Sequence, residues 1–165
     1  MMPTRIVFPI LGLAVAAAIL GMFLFANRGS HIEIKGEILK VRTHSAEENA
    51  CVAILDFRFV NPARYPFQVR SIDVTAELAG GKKAEGMVIA DSDAKRYLQN
   101  YPAMGQKYND SLVIREKIAP KQSLDKMVMV RFEVPEAVLQ TRHGLRIRVE
   151  EVDGAVSEIE EKIGK

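Results

Sequence analysis

From His31 onward apolar residues recur at every second position, and that period confines the chain to extended strands of a sheet. "CVAILDFRF" (51–59) puts Cys51, Ala53, Leu55, Phe57 and Phe59 on one face and turns Asp56 and Arg58 the other way. That is the pattern of a half-buried strand in an antiparallel sheet. "HIEIKGEILKV" (31–41) alternates through Ile32, Ile34 and Ile38, with Gly36 as a candidate bulge. "FQVRSIDVTAEL" (67–78) keeps Phe67 and Val69 in phase, then Ile72, Val74, Ala76 and Leu78 in the opposite phase. A bulge near Arg70–Ser71 reconciles the halves.

Gly80-Gly81 is a hairpin signal before "AEGMVIA", and "SLVIREKI" and "KMVMVRFEV" follow further on. Pro135 opens a short helical piece, "PEAVLQT", and Gly144 begins the strand "LRIRVEEV". The segment after Asp153-Gly154 fits either a strand or a helix, since Val156, Ile159 and Ile163 also form a helical stripe. About seven strands, polar turns and no sustained βαβ alternation predict an all-β antiparallel sandwich.

Between two of these strands the chain reads "VNPARYPF" (60–67). Pro62 lacks an N–H and biases Asn61 toward extended backbone, so a central strand leaves its ladder there. Asn61 can close an Asx-turn, and Pro66 fixes the chain before Phe67 re-enters the core. Asn61, Pro62 and Pro66 therefore read as a structural corner. On that reading, losing the Asn61 side chain costs about 1 kcal/mol.

Ahead of the strands lies Ile6 to Ala26, an apolar run without a charge. As a helix it spans roughly 31 Å, enough for a hydrocarbon core of about 30 Å. The run exceeds the apolar core of a cleaved signal peptide, and Leu24 occupies a position where a cleavage site wants a small residue. The predicted organisation is a tail (1–5), a transmembrane helix (6–26), a linker (27–30) and a sandwich (31–165) with a helical insertion near 91–109. With so short a tail, the simplest topology keeps the N-terminus in the cytoplasm and puts the domain on the outer, periplasmic or extracytoplasmic side. Gly12 with Ala16, and Ala17 with Gly21, offer small residues for helix pairing, a route to a homo-oligomer.

Lys+Arg number 23 and Asp+Glu 21, a balance that argues against nucleic acid as a partner. The single Cys51 forms no internal disulfide. His31, His44 and His143 have no metal-ligand spacing, Asp91 and Asp93 lack the repeated oxygen ligands of a calcium loop, and no nucleophile elbow is present. The expectation is no catalytic residue, no metal and no cofactor.

"LDFRFVNPARYPFQVRSIDVTAELAGGKKAEGMV" (55–88) resembles the late embryogenesis abundant group 2 family, also called the water-stress and hypersensitive-response domain. Asn61, Pro62, Pro66, Phe67, Ile72, Val74, Leu78 and Gly86 fall where that pattern expects them, and "IAPKQSLDKMVMVRFEV" (118–134) resembles its later turn and strand. The resemblance covers about half the chain. It implies an immunoglobulin/fibronectin-like antiparallel β-sandwich, an N-terminal membrane helix in some members, and roles in stress protection or in binding membranes and partners. It carries over no site residue.

The chain departs from the pattern at "ADSDAKRYLQNYPAMGQKYNDS" (90–111), too long for a hairpin connection. Asp91 or Ser92 can cap a helix there. Three of the four tyrosines fall in it, and Tyr97, Tyr108, Met104 and Arg96 form a candidate interaction surface; the alternative is a lid whose aromatics close one end of the sandwich. Leu98 and Tyr101, three apart, are expected inward, and Tyr97 and Tyr108 outward. The function these features support is a membrane-tethered, non-enzymatic interaction module with a protein or lipid partner. The alternative is a carrier of lipid or another apolar ligand, with a pocket lined by Phe57, Phe59 and Met127. A pilin-like subunit fits less well, because the helix has no early acidic residue.

Overall fold

The computed structural model describes residues 17–22 and 34–161. The chain divides into two compact units, Met1–His31 and Ile32–Lys165. In the first, residues 17–22 are helical (α1), and Ile19, Leu20 and Met22 are exposed. The remainder of the expected membrane segment and the linker 27–30 lie outside the described residues. Among the described residues no helix is long and apolar enough to cross a membrane.

The second unit is an antiparallel β structure. Its strands are β1 (Lys35–Glu47), β2 (Ala50–Val60), β3 (Phe67–Glu77), β4 (Lys83–Val88), β5 (Asp110–Ser111), β6 (Lys117–Ile118), β7 (Ser123–Phe132), β8 (Gly144–Glu151) and β9 (Val156–Glu160). Two helices interrupt them, α2 (Asp91–Asn100) and α3 (Glu136–Gln140). The strand order is β1-β2-β7-β4-β3-β8-β9, with β5 paired to β7 in parallel and β6 paired to β3.

Two layers arise because β4 changes partners. Its first half pairs with β3 (Glu77↔Lys83 to Val74↔Gly86) and its second with β7 (Gly86↔Phe132 to Val88↔Val130). Gly86 belongs to both ladders. A Cβ at Gly86 would lie 2.9 Å from the Phe132 ring and 3.2 Å from Val130 Cβ, so the switch needs a residue without a side chain. The inner faces of both layers meet in one core: Phe57 and Phe59 from β2, Phe67, Val69 and Val74 from β3, Val130 and Phe132 from β7, and Leu145, Ile147 and Val149 from β8. The period of two puts them there.

The expected bulge at Arg70 is present, as the β3–β8 register shifts between Val69 and Ser71. Gly36 is not a bulge: it pairs regularly with Phe59, and the nearby register shift falls between Ile38 and Lys40. Its role is close approach, because a Cβ there would lie 2.5 Å from the Arg58 carbonyl oxygen and 2.8 Å from Ile159 Cδ1. The segment after Gly154 is a strand, β9, paired along β8. Its Ile159 enters the core while Glu158 and Glu160 both meet Arg146 of β8.

The corner is built as its residues dictate, and more deeply than a surface turn. Asn61 is fully buried. Its Oδ1 accepts the Ala63 N–H at 3.0 Å, the Asx-turn. Its Nδ2 lies 2.9 Å from the Tyr65 carbonyl oxygen, 3.2 Å from that of Ile118 and 3.3 Å from that of Ala119. One side chain thus ties two loops together.

Because removal of that amide leaves the buried Ile118 carbonyl and the part-buried Tyr65 carbonyl without this donor, Asn61→Ala is expected to cost about 2–4 kcal/mol rather than the ~1 of a turn residue. Gly86→Ala should lose about 1–3 kcal/mol through overpacking against Phe132. Urea unfolding of both variants checks this, and a near-neutral Asn61→Ala would show that the amide does not hold the loops.

Candidate functional site

The long insertion folds over the outer face of the β1-β2-β7 layer. It leaves that layer where the Ile89 N–H donates to the Met129 carbonyl (2.8 Å) and rejoins where the Leu112 N–H donates to that of Met127 (2.9 Å). Both ends therefore attach to one edge of β7, two residues apart, and the segment between them forms a strap.

Under the strap lies a second apolar cluster. Val52 and Ile54 of β2 and Met127 and Met129 of β7 are covered by Ala94, Leu98 and Met104. Strand β2 is consequently buried on both faces over most of its length, not half-buried as the alternation implies. Three methionines fill the layer, and their unbranched side chains adapt to an irregular seam between helix and sheet.

A buried ion pair fixes the strap. Arg42 of β1 and Asp56 of β2 meet at 2.8 Å, with 9% and 5% of their side chains exposed. The other Asp56 oxygen accepts from Asn109 Nδ2 at 2.9 Å. Arg42 Nη1 donates to the carbonyls of Met104 (2.8 Å) and Gln106 (2.9 Å). The Tyr108 ring lies over the guanidinium, 5.0 Å away, and 5.5 Å from Lys40 Nζ. One arginine thus holds a carboxylate and two strap carbonyls at once, as its planar fork of donors allows.

A second tie closes the strap on itself. Neither Asp91 nor Ser92 caps α2: the N-cap is Ala90, and no side-chain capping bond forms. Asp91 instead meets Lys107 at 2.6 Å and Lys95 at 2.8 Å. Lys107 first, then Lys95, hold its carboxyl well below the usual carboxylate range. Because the pKa is lowered on folding, this contribution is present above the ordinary Asp pKa and is lost as pH falls through the folded-state value.

The tyrosines do not divide as expected. Leu98 is buried, but Tyr101 is 41% exposed, and Tyr97 is the half-buried one. The Tyr97 hydroxyl is buried without a hydrogen-bond partner, and burial pushes the phenol pKa up. Rotation along the helix explains the reversal: α2 ends at Asn100, so Tyr101 leaves the stripe that Leu98 begins. The Tyr97 and Tyr101 rings pack at 4.5 Å, tilted by 34°, with His44 at 4.7 Å from Tyr101. Met104 is 4% exposed, a packing residue rather than a surface one. Tyr108 (60% exposed) and Arg96 are at the surface.

Elsewhere, Cys51 is buried, and burial, with Glu136 as a lesser cause, pushes its thiol pKa up to about 11. Among the described residues no group of three His, Cys, Asp or Glu side chains is placed to hold a metal ion. Phe57 and Phe59 pack on each other at 5.9 Å within the inner core, whereas Met127 faces the strap. The three residues of the expected carrier pocket therefore do not share a face.

No family model matches the chain, and no curated protein does. Among solved structures it is similar to a candidate lipoprotein of Bacillus subtilis, YcdA (10% identity, TM-score 0.46, covering 79% of this chain and 36% of that one). It is also similar to an uncharacterized β-sandwich protein of Clostridium difficile (11%, 0.40, 78% and 85%). A third is the archaellum periplasmic stator protein FlaG of Sulfolobus acidocaldarius (9%, 0.36, 77% and 98%). The chain spans about a third of the Bacillus protein's length. Likeness at these scores carries no inference about function.

If Tyr97 packs and Tyr101 does not, their truncations separate. Tyr97→Ser is expected to lose about 2–3 kcal/mol, Tyr101→Ser under about 1, and Tyr97→Phe nearly nothing, since it removes an unpartnered hydroxyl. Equal losses for the two serine variants in chemical unfolding would contradict the assignment.

Proposed function

We propose that the protein is a membrane-tethered, non-enzymatic β-sandwich that presents the strap surface to a protein partner on the outer side of a membrane. The observation that carries this reading is the buried Arg42–Asp56 pair, which fixes a tyrosine-bearing segment onto a rigid sheet. Tyr101, Tyr108 and Arg96 then stand outward on an ordered support, the combination favoured at interaction surfaces. The filled inner core, with Phe57, Phe59, Phe67 and Phe132 fully buried, favours this module over a carrier that opens between its layers.

In finer detail we infer an immunoglobulin-like sandwich. Counting the short β5 and β6 as connection, the order sets the first, second, fifth and fourth strands against the third, sixth and seventh, as in that fold. Kinship with late embryogenesis abundant group 2 domains belongs to the same proposal, supported by the Asn61–Pro66 corner and Gly86. The anchor rests on the uncharged run 6–26 and on the exposed apolar side chains of α1.

Two experiments test the two halves. The full chain is expected to stay with membranes through carbonate washing, and its release would remove the anchor. Chemical cross-linking in intact membranes is expected to give a discrete adduct that Tyr101→Ser/Tyr108→Ser abolishes while costing no more than about 2 kcal/mol of stability. An undiminished adduct would remove the strap surface from the function.

A further inference from the structure

One end of the second unit gathers three loops: the corner 61–66, the turn 119–122 before β7 and the turn 152–155 between β8 and β9. The registers place them together, since Val60 pairs with both Lys35 and Ser123, and Phe67 and Val69 pair with Ile118 and Glu151. Strand β1 also begins here, at Lys35.

These loops expose apolar side chains beside polar ones. Tyr65 is 69% exposed and Val152 49%, and Pro66, Ala119 and Pro120 are exposed beside them. Around them stand Arg64, Lys117, Lys121 and Lys35, all exposed. Among the described residues Arg64, Lys117 and Lys121 form no ion pair; Lys82, Lys83 and Arg115 form none either, while Arg42, Arg58, Arg70, Lys107, Lys126 and Arg142 each do. Lys121 holds φ of +60°, a left-handed conformation that ordinarily favours glycine or asparagine. Its ammonium reaches the Pro62 carbonyl and so stands between two of the loops. Of the acids nearby, Asp153 is exposed, Glu150 is held by Arg70, and Glu151 is buried. Asp125, slightly further from the tip, is engaged by Arg58 on both oxygens.

Apolar tips with unpaired cations around them match a bilayer interface in both respects. The tips enter the headgroup boundary while the cations meet lipid phosphates. We propose that this end of the sandwich docks on a membrane surface rich in anionic phospholipid. The proposal rests in part on the anchor reading: Ala26, the last residue of the uncharged run, is nine residues before Lys35, a reach of at most about 32 Å.

The test is hydrogen exchange of the full chain reconstituted into nanodiscs of phosphatidylcholine alone or mixed with phosphatidylglycerol. Peptides covering 62–68, 117–122 and 151–155 should exchange several-fold more slowly in the anionic discs, and those covering 91–109 should not differ. High salt and the variant Arg64→Glu/Lys117→Glu should each abolish the difference, because each cation near an anionic surface adds roughly fivefold to association. Unchanged exchange of the β2 and β8 core in that variant shows that it folds; if it does not, Tyr65→Ser/Val152→Ser takes its place. Equal exchange in both discs, or protection that survives charge reversal, overturns the proposal. A chain that fails to enter the discs refutes the anchor alone, and the same comparison with added neutral and anionic vesicles then decides the docking.

Discussion

The architecture depends on β2 being buried on both sides. Its odd residues build the sandwich core and its even residues, Val52 and Ile54, lie beneath the strap. Asp56 continues the even series, so a carboxylate enters the same covered layer. A charge there is tolerated only with close partners, and it has Arg42 and Asn109. Arg42 then brings its Nη1 to the carbonyls of Met104 and Gln106, which determines where the chain after α2 must run, while its Nε stays buried without a partner. Such a pair adds little net stability relative to a well-packed apolar replacement, but breaking it by removing one partner costs about 3–5 kcal/mol. Its physical effect is therefore to select one docked position for the strap.

The two apolar layers differ in kind, and the difference bears on function. The inner one is made of aromatic and branched side chains from strands far apart in sequence, joined through the Gly86 switch. The outer one is small, methionine-rich and roofed by a segment whose ends meet on β7. Segments with few apolar contacts open before the rest of a domain does. The polar ties at Arg42 and Asp91 offset that tendency, and they keep Tyr101 and Tyr108 in a fixed relation to the sheet.

The parts of this structure that were legible in the sequence are those governed by local rules. Period two gave the strands, the phase change at Arg70–Ser71 gave a bulge, and Asn61-Pro62 gave an Asx-turn. What escaped depends on partners distant in sequence. Asp56 looked solvent-facing because Arg58, two residues on, is; only Arg42 and Asn109 distinguish them. One signal was available: Cys51 to Leu55 are all apolar, a run that suits burial on both faces rather than one. Met104 read as a surface residue for want of any local sign of the layer beneath it. The exchanged roles of Tyr97 and Tyr101 followed from where α2 stops, and helix ends are weakly encoded when no side chain caps them. Gly36 shows the same limit, since its requirement comes first from the Arg58 carbonyl on the paired strand and then from Ile159, far along the chain.

Native-state hydrogen exchange in Asp56→Ala decides whether the Arg42–Asp56 pair holds the strap as a unit separable from the sandwich. The expected result is that amides of α2 and of residues 101–109 lose protection together while those of β3 and β8 keep theirs. If α2 instead exchanged only with the core, at the core's rate, the strap would be part of the sandwich and the pair would not be what positions it.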